Sequence, residues 1–297
     1  MAIDTTGNIE VLSPGIFTSI QDGGRNGFRK FGVPVSGYMD SMSAALANAL
    51  LNNALEAPVM EITLVGPVLK FNSTTVMAIA GADLAPMLNG GPVFLNQAVS
   101  VQVNDVLSFG KLRYGARAYL AVKGGFLTPK IMGSHAYYKP ITGQSRIEKG
   151  DTIPVPVYAN KKEGFSRTSV RADRQIFFSE EVECMKGPEF SLLLGEQHKR
   201  LFTSSFVVSA QSNRMGYRLD HTKLQYPSGF SMLTSSVIPG TVQLTPSGQL
   251  IVLMRDAQTT GGYPRILQLT LRGVNQLAQK KPGDPFTFTL REQDGTK

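Results

Sequence analysis

Short apolar segments interrupted by turn-forming residues recur along most of this chain. Val59–Leu64, Val68–Phe71 and Thr75–Ala80 are examples, and Gly66-Pro67 separates the first two. Short runs of apolar and β-branched residues bounded by glycine, proline or asparagine are typical of strands. Since only one stretch in the first half of the chain is strongly helical, the pattern predicts a mainly β protein, with barrels rather than a parallel sheet.

Two helices are expected within this pattern. Asp40 can cap the alanine- and leucine-rich segment Ser41–Leu51, and a short helix is expected over Leu271–Gln279. The apolar segments of the second half are otherwise expected to be strands, including Gln175–Phe178 and Glu189–Leu194. The expected fold class is therefore mainly β, with two β-barrel lobes and a few short helices.

The segment Val155–Arg174 differs from its surroundings because it is polar and basic and has little periodicity. Such a composition is typical of a linker between domains. At 297 residues the chain is long enough for two modest cores. We therefore predict an N-terminal lobe over residues 1–160 and a C-terminal lobe over residues 161–297.

Charge and composition narrow the function classes. The formal net charge is +8, but the basic residues are scattered and no nucleic-acid-binding motif accompanies them, which favours a solvated surface with sites for anions. The apolar run Leu250–Met254 is too short to cross a bilayer, and Met1–Asp4 lacks the pattern of a secretory signal. A single cysteine, Cys184, fits a reducing compartment. We expect a soluble cytoplasmic protein without a nucleic-acid or membrane partner.

Several familiar catalytic signatures are absent from the sequence. There is no phosphate-binding loop of the P-loop type and no nucleophile-elbow motif. The three histidines are isolated and, with one cysteine, give no zinc pattern, so no metal site is predicted. Cys184 has no nearby histidine, which favours a structural role for its thiol.

Two glycine-containing loops in the first half are candidate binding segments. In the first, Gly23 and Gly24 let backbone amides approach a ligand, Arg25 could hold a carboxylate or phosphate, and Asp22 could orient Arg25 or a ligand amine. The alternative is a tight turn in which Arg25 pairs with Asp22. In the second loop, Ser36 offers a hydroxyl close to a helix N-terminus that would attract anions, although plain capping by Asp40 is an alternative.

Two further candidate loops lie in the second half. In the first of them, Arg214 and Arg218 could hold an anionic group, Asn213 could bind an amide, and Tyr217 lies between the arginines. Alternatively, one of these arginines holds two loops together. The other loop follows an apolar strand and concentrates polar residues and glycines, as binding sites often do, although a hydrogen-bonded turn is the alternative. Its residues are Asp256, Gln258, Thr259, Thr260, Gly261, Gly262 and Tyr263.

The order and spacing of these loops resemble the allophanate-hydrolase-subunit-2 family over almost the whole chain. The resemblance is also carried by Gly32-Val33-Pro34, Met39-Asp40, Gly81-Ala82-Asp83-Leu84, Gly115–Val122, Ser236–Gly240 and Pro282-Gly283-Asp284. That family includes the C-type subunit of 5-oxoprolinase, the kinase-inhibitor antagonist KipA and the carboxyltransferase part of urea carboxylase. The resemblance implies cyclophilin-like barrels in both lobes.

The resemblance also implies a function. The chain would be the C-type subunit of an ATP-dependent 5-oxoprolinase that opens 5-oxoproline to glutamate, active only with two partner subunits, one KipI-like (the B type) and one of the A type. The corresponding hypothesis is that segments Asp22–Arg25, Arg214–Arg218 and Asp256–Tyr263 line a cleft for an acidic lactam or its phosphorylated form. An arginine would hold the carboxylate, the glycine loops would donate amides and Asp256 would manage a proton, so Asp256 and Arg214 are the predicted catalytic residues. The alternatives are a carboxyltransferase that accepts a carboxyl group from biotin on a partner protein, and a KipA-like binding protein.

The chain departs from the family pattern at several positions. Asn213 stands where the family usually has aspartate, Tyr38 stands where it has a small residue, and Arg255 replaces a small residue beside Asp256. The stretch Gly133–Gly143 also loses part of its usual pattern. The loss of a carboxylate and the gain of a cation would change the charge preference of the ligand.

Overall fold

The computed structural model describes residues 6–158 and 174–291, which form two compact units. Unit 1 contains residues up to 26 and residues 36–177, whereas unit 2 contains residues 27–35 and residues from 178 onward. The second unit therefore takes a short segment from the first part of the chain. Among the described residues, no helix combines the length and the apolar composition needed to cross a membrane.

Strands outnumber helices along the described chain, as expected. The strands are β1 (Thr6–Ser13), β2 (Phe17–Gln21), β3 (Val59–Thr63), β4 (Val68–Phe71), β5 (Thr75–Asp83), β6 (Pro86–Leu88), β7 (Gly91–Pro92), β8 (Ala98–Val101), β9 (Val106–Phe109), β10 (Tyr114–Val122), β11 (Thr152–Pro156), β12 (Glu181–Lys186), β13 (Phe206–Val208), β14 (Gly216–Asp220), β15 (Ser235–Ser236), β16 (Thr241–Leu244), β17 (Leu250–Leu253), β18 (Thr260–Gly261), β19 (Arg265–Leu269) and β20 (Pro285–Leu290). The α-helices are α1 (Ser41–Leu50), α2 (Gln175–Phe178), α3 (Gly195–Thr203) and α4 (Leu271–Ala278).

Unit 1 contains two antiparallel sheets that share a hydrophobic core. Their strand orders are β11-β1-β4-β9-β6-β7 and β2-β3-β10-β5-β8. Ile9 and Phe71 from the first sheet join Met60 and Leu120 from the second in this core. Where a barrel was expected in this lobe, the structure has two sheets, each burying one face against the other.

The second sheet of unit 1 is buried on its other face by α1. Tyr119 alternates with the core residue Leu120 along β10 and packs with Ala44 and Ala47 of the helix. The Asp40 carboxylate accepts hydrogen bonds from the backbone N–H groups of the first turn, which confirms the predicted cap. A strand buried on both faces needs a nearly continuous apolar run, and β10 has one.

Unit 2 is built around a closed seven-stranded barrel in the order β12-β19-β16-β17-β14-β13-β20. A parallel pair, β12 with β20, closes it. The rings of Phe206, Phe286 and Phe288 fill its interior with centroid separations of 4.9 to 6.0 Å. The helix α4 packs on β12 at Gly273, where any Cβ would clash with the Glu183 carbonyl oxygen. The closed barrel of unit 2 confirms the prediction of a mainly β protein with a barrel.

Several local expectations differ from the structure. Gln175–Phe178 is a helical turn rather than a strand, and Phe190–Leu192 within the expected strand Glu189–Leu194 is a 3₁₀ helix. The first residues of the expected linker Val155–Arg174 belong to β11, which pairs with β1. Most of that linker, and the predicted boundary between residues 160 and 161, lie outside the described residues.

Stability at mildly acidic pH is expected to depend on His221. Its Nδ1–H donates to the Thr222 carbonyl oxygen at 2.6 Å, and its Nε2 accepts from the Leu250 N–H at 3.1 Å, which only the neutral ring can do. Burial lowers the pKa of His221, although the bond to Thr222 and the charge of Asp220 oppose the shift. The unfolded chain therefore binds a proton at higher pH than the fold does, so this contribution is complete above about pH 6.5 and is lost as pH falls below it.

Denaturant unfolding between pH 8 and pH 5 measures this effect. The loss of unfolding free energy on acidification should be smaller in His221→Asn than in the wild type, because the substituted side chain does not titrate. Equal losses in the two proteins would contradict the assignment.

Candidate functional site

In unit 1, the Asp22 carboxylate organises the loop that follows β2. Its Oδ1 accepts from the Gly24 N–H at 2.9 Å and from the Ser134 hydroxyl at 2.6 Å, and its Oδ2 accepts from the His135 N–H at 2.6 Å. Asp22 is buried. These bonds form a turn at Gly23-Gly24 and tie it to the 131–135 turn, so Asp22 acts here as a structural anchor.

Arg25 strengthens the same connection. Its Nε donates to the Ile131 carbonyl oxygen at 3.2 Å and its Nη2 to the Ala136 carbonyl oxygen at 2.9 Å, and the side chain is completely buried. The guanidinium group was expected to hold a ligand anion or to pair with Asp22. In the structure it holds two backbone carbonyls of the segment that Asp22 also binds.

Ser36 has the features of a functional residue in this unit. Its backbone is left-handed, with φ +56°, and its side chain is 1% exposed. The Ser36 hydroxyl has no hydrogen-bond partner among the described residues. The next residue, Gly37, lies close to the loop that contains Asp22, since a Cβ added at Gly37 would be 2.7 Å from the Asp22 carbonyl oxygen. Backbone strain and an unsatisfied buried hydroxyl are both costly, and functional sites often retain them.

A buried hydrogen-bond network, which was not predicted from the sequence, fixes the loop that contains Ser36 and leads into α1. Glu61 Oε2 accepts from the Met39 N–H at 2.8 Å and from the Tyr119 hydroxyl at 3.0 Å, and that hydroxyl accepts from the Asp40 N–H at 2.7 Å. Burial raises the pKa of Tyr119 well above its usual range, so the phenol stays a donor. The available sequence signal was a lone carboxylate within the apolar strand β3.

In unit 2, the two predicted catalytic residues form an ion pair with each other. Arg214 Nε lies 2.8 Å from Asp256 Oδ2, and Nη2 lies 3.1 Å from Oδ1. The Asp256 N–H also donates to the Arg214 carbonyl oxygen at 2.9 Å, and both side chains are buried. This bidentate pair joins the loop before β14 to the loop after β17, as in the alternative in which one arginine connects two loops.

A pocket of about 240 Å³ in unit 2 brings four of the predicted residues together. Asn213, Arg218, Gln258 and Tyr263 line it, and Gln243, which no sequence motif had indicated, lines it as well. The side chain of Asn213 is partly committed, since its Oδ1 accepts from the Met215 N–H at 2.8 Å. The pocket is therefore bordered by neutral amides and one arginine.

The other predicted residues of unit 2 are not part of the pocket lining. Tyr217 points into the barrel and is buried, as expected for a residue that alternates with Arg218 along β14. Thr259 accepts a backbone hydrogen bond from Val237, and β18, which consists of Thr260 and Gly261, pairs with β15. Gly262 is exposed and lies outside the pocket lining. Whether loops of the two units line one cleft stays a prediction.

Two further features concern the cysteine and metal-ligating side chains. Burial raises the pKa of Cys184 to about 12, so its thiol stays protonated, in agreement with a structural role. Within residues 6–158 and 174–291, no cluster of three or more metal-ligating side chains occurs.

Comparisons with known proteins identify relatives over nearly the whole chain. The family described as carboxyltransferase domain, subdomain A and B, matches residues 31–290. The Escherichia coli protein named as the C-type subunit of 5-oxoprolinase is 34% identical over 94% of this chain and 90% of that protein. The Haemophilus influenzae protein of the same name is 30% identical over the same shares. The solved structure of Kluyveromyces lactis urea carboxylase matches with a TM-score of 0.83 and 28% identity, covering 97% of this chain but 28% of that one.

The Arg214–Asp256 pair predicts a large stability effect. Asp256→Asn or Arg214→Met leaves one buried charge without its partner, which is expected to lower the unfolding free energy by about 3–5 kcal/mol. Arg113→Gln is the matched control, because the pair of Arg113 with Asp83 is solvent-exposed on the arginine side and is worth about 0–1 kcal/mol. Denaturant unfolding measures all three; losses no larger than that of the control would contradict a structural role for the pair.

At Ser36 we expect a trade-off between stability and activity. Ser36→Gly relieves the left-handed strain and removes the unsatisfied hydroxyl, so it is expected to raise the unfolding free energy by about 1 kcal/mol, even after the extra backbone entropy of glycine. Ser36→Ala keeps the strain and removes only the hydroxyl. If the hydroxyl serves a ligand, both variants lose activity; a fully active, stabilised Ser36→Gly protein would show that it does not.

Proposed function

Because this chain belongs to the family of carboxyltransferase domains, subdomains A and B, we propose that it is the C-type subunit of an ATP-dependent 5-oxoprolinase complex. The complex would open the lactam ring of 5-oxoproline to give glutamate. The membership agrees with the family resemblance predicted from the glycine- and arginine-containing motifs.

The observation that carries the proposal is the reciprocal coverage of the relatives. The Escherichia coli 5-oxoprolinase protein and this chain match over 90% and 94% of their lengths, so the similarity extends over nearly the whole of both sequences. The urea carboxylase of Kluyveromyces lactis, in contrast, is matched over 28% of its length. The 5-oxoprolinase protein is therefore the better guide to the function of this chain than the urea carboxylase.

The chemistry explains why ATP is required. An unstrained lactam resists hydrolysis, and transfer of the γ-phosphoryl group of ATP to the lactam oxygen, with loss of the N–H proton, activates the ring carbon. Water then adds to this carbon and the C–N bond breaks, which leaves γ-glutamyl phosphate. A second water releases phosphate and gives glutamate, with ADP as the other product. We assign ATP to the complex, whose other members would be the KipI-like protein of the B type and the protein of the A type.

The pocket of unit 2 supports an acidic amide as the substrate. Arg218 can pair with a carboxylate, and the amide groups of Asn213 and Gln258 can bond a lactam. In unit 1, the Gly23-Gly24 backbone and Ser36 are the candidate contacts to a ligand. Asp256 and Arg214 support the reaction by holding their loops, since each occupies the other's hydrogen-bonding groups.

A second candidate function is transfer of a carboxyl group from biotin carried by a partner protein. The family description and the urea carboxylase structure favour it. It differs from the first in its requirements, because it needs a biotin carrier and a carboxylase and releases no glutamate.

Reconstitution tests the proposal directly. This chain is combined with its two candidate partners, the KipI-like protein and the A-type protein, and glutamate release from 5-oxoproline is followed with and without ATP. We expect omission of this chain to lower the rate at least tenfold, because the complex would lack one of its required members. An unchanged rate without the chain would refute the proposal, and carboxylated product formed only with a biotin carrier would favour the second candidate.

A further inference from the structure

The pocket of unit 2 lies on the outer face of the barrel. Side chains alternate along a strand, so β14 and β17 direct Tyr217 and Val252 inward and leave Gly216, Ile251 and Leu253 on the outside. Gly216 faces Leu253 across the ladder, and these three residues form an apolar floor. With a volume of about 240 Å³ the pocket suits a small metabolite rather than a nucleotide.

Gln243 forms one wall of this pocket and has a fixed orientation. It lies on β16 opposite Ile251 and is 2% exposed. Its Nε2 donates to the Tyr263 carbonyl oxygen at 3.4 Å. Because a carbonyl oxygen only accepts, the amino group must face Tyr263, and this assigns the other end of the amide as oxygen.

The oxygen of this amide is left for a ligand. Among the described residues no donor to Gln243 Oε1 is found, and this oxygen is not one of the fully buried atoms without a partner, although the residue as a whole is 2% exposed and borders the pocket. An amide oxygen that is accessible in a pocket can accept a hydrogen bond from a bound ligand. The site therefore favours a ligand that carries an N–H or O–H group.

Gly261 is what allows the amide to occupy this position. A Cβ at residue 261 would lie 2.7 Å from Gln243 Nε2. The neighbouring loops are held in turn by the small apolar cluster of Val237, Leu253 and Ala257. Gln243 is thus preorganised, so little conformational entropy is lost when a ligand binds to its oxygen.

The charge of the pocket lining also bears on which ligand can bind. Arg218 is the single charged residue among those that line the pocket, and it is exposed at the rim, with Nη1 3.5 Å from Gln249 Oε1. Asn213 has its oxygen bonded to the Met215 N–H, which leaves its amino group as a donor. The pocket therefore combines one fixed acceptor, amide donors, an apolar floor and one positive charge.

We propose that this pocket is the lactam-recognition site and that Gln243 is its specificity-determining residue. The ring N–H of a five-membered lactam donates to Gln243 Oε1, the ring carbons lie on Ile251 and Leu253, and the carboxylate pairs with Arg218. This inference rests on the proposed function, since it assigns the binding of 5-oxoproline to unit 2 of this chain.

Calorimetric titration of the full chain tests the assignment with two ligands. The first is 5-oxoproline, and the second is the corresponding lactone, 5-oxotetrahydrofuran-2-carboxylate, which has the same shape and charge but a ring oxygen in place of the N–H. On the wild-type chain the lactone should bind at least tenfold more weakly, because the Gln243 oxygen would face a second acceptor. On Gln243→Met the preference should fall to about twofold or less, because the acceptor is gone.

The controls isolate the contribution of the Gln243 oxygen. Gln102→Met, an exposed substitution in unit 1, should keep the wild-type preference. Equal binding of lactam and lactone by the wild-type chain, or no binding of the lactam, overturns the proposal even if Gln243→Met does not fold. The outcome is independent of the reconstitution assay: an active complex with no ligand preference refutes the pocket assignment alone, whereas a chain that discriminates the ligands but is dispensable for activity refutes only the proposed function.

Discussion

Buried carboxylates with intramolecular partners hold the loops of both units in place. Asp22 gathers three donors in unit 1, and Asp256 binds Arg214 bidentately in unit 2. In a β protein the strands are fixed by their ladders, but the loops have no regular hydrogen bonds of their own. A buried charge cannot stay unpaired in a medium of low dielectric constant, so these side chains specify one loop conformation. The loops that carry the candidate residues depend on them.

The pattern of short apolar segments was sufficient to predict a mainly β architecture. It was not sufficient to predict several individual elements. Apolar runs bounded by glycine and proline correctly indicated β3, β4 and β5, and the Asp40 cap correctly placed α1. β2 was missed because Thr18, Ser19 and Gln21 are polar, yet all three are buried, and Gln21 Nε2 donates to the distant Tyr137 carbonyl oxygen at 3.2 Å. Gln175–Phe178 is apolar enough for a strand but forms a helical turn. Assignment of residues 27–35 to unit 2 requires tertiary contacts that no local pattern contains.

The sequence was sufficient to predict which loops carry the candidate residues. It was not sufficient to predict which of these residues contact a ligand and which hold the structure. Residue type alone cannot distinguish an arginine that binds a ligand from one that binds carbonyl oxygens, and Arg25 and Arg218 differ in burial rather than in sequence context. Tyr217 was named as a candidate substrate-binding residue without an expected strand over residues 216–220, so the alternation along β14 that turns its side chain inward could not be applied. Gln243 was overlooked within an apolar strand, although a single amide among apolar residues is itself a signal of a buried polar contact.

The substitution at residue 213 bears on the charge of the pocket. The family resemblance implies aspartate at this position, and the backbone role of the side chain, to accept from the Met215 N–H, is available to aspartate and asparagine alike. The turn therefore does not require a particular charge. An aspartate there would place a carboxylate in the same pocket lining as Arg218 and offset its charge, whereas asparagine leaves the arginine as the single charged lining residue. Asn213 thus keeps the loop and increases the preference of the pocket for an anionic ligand.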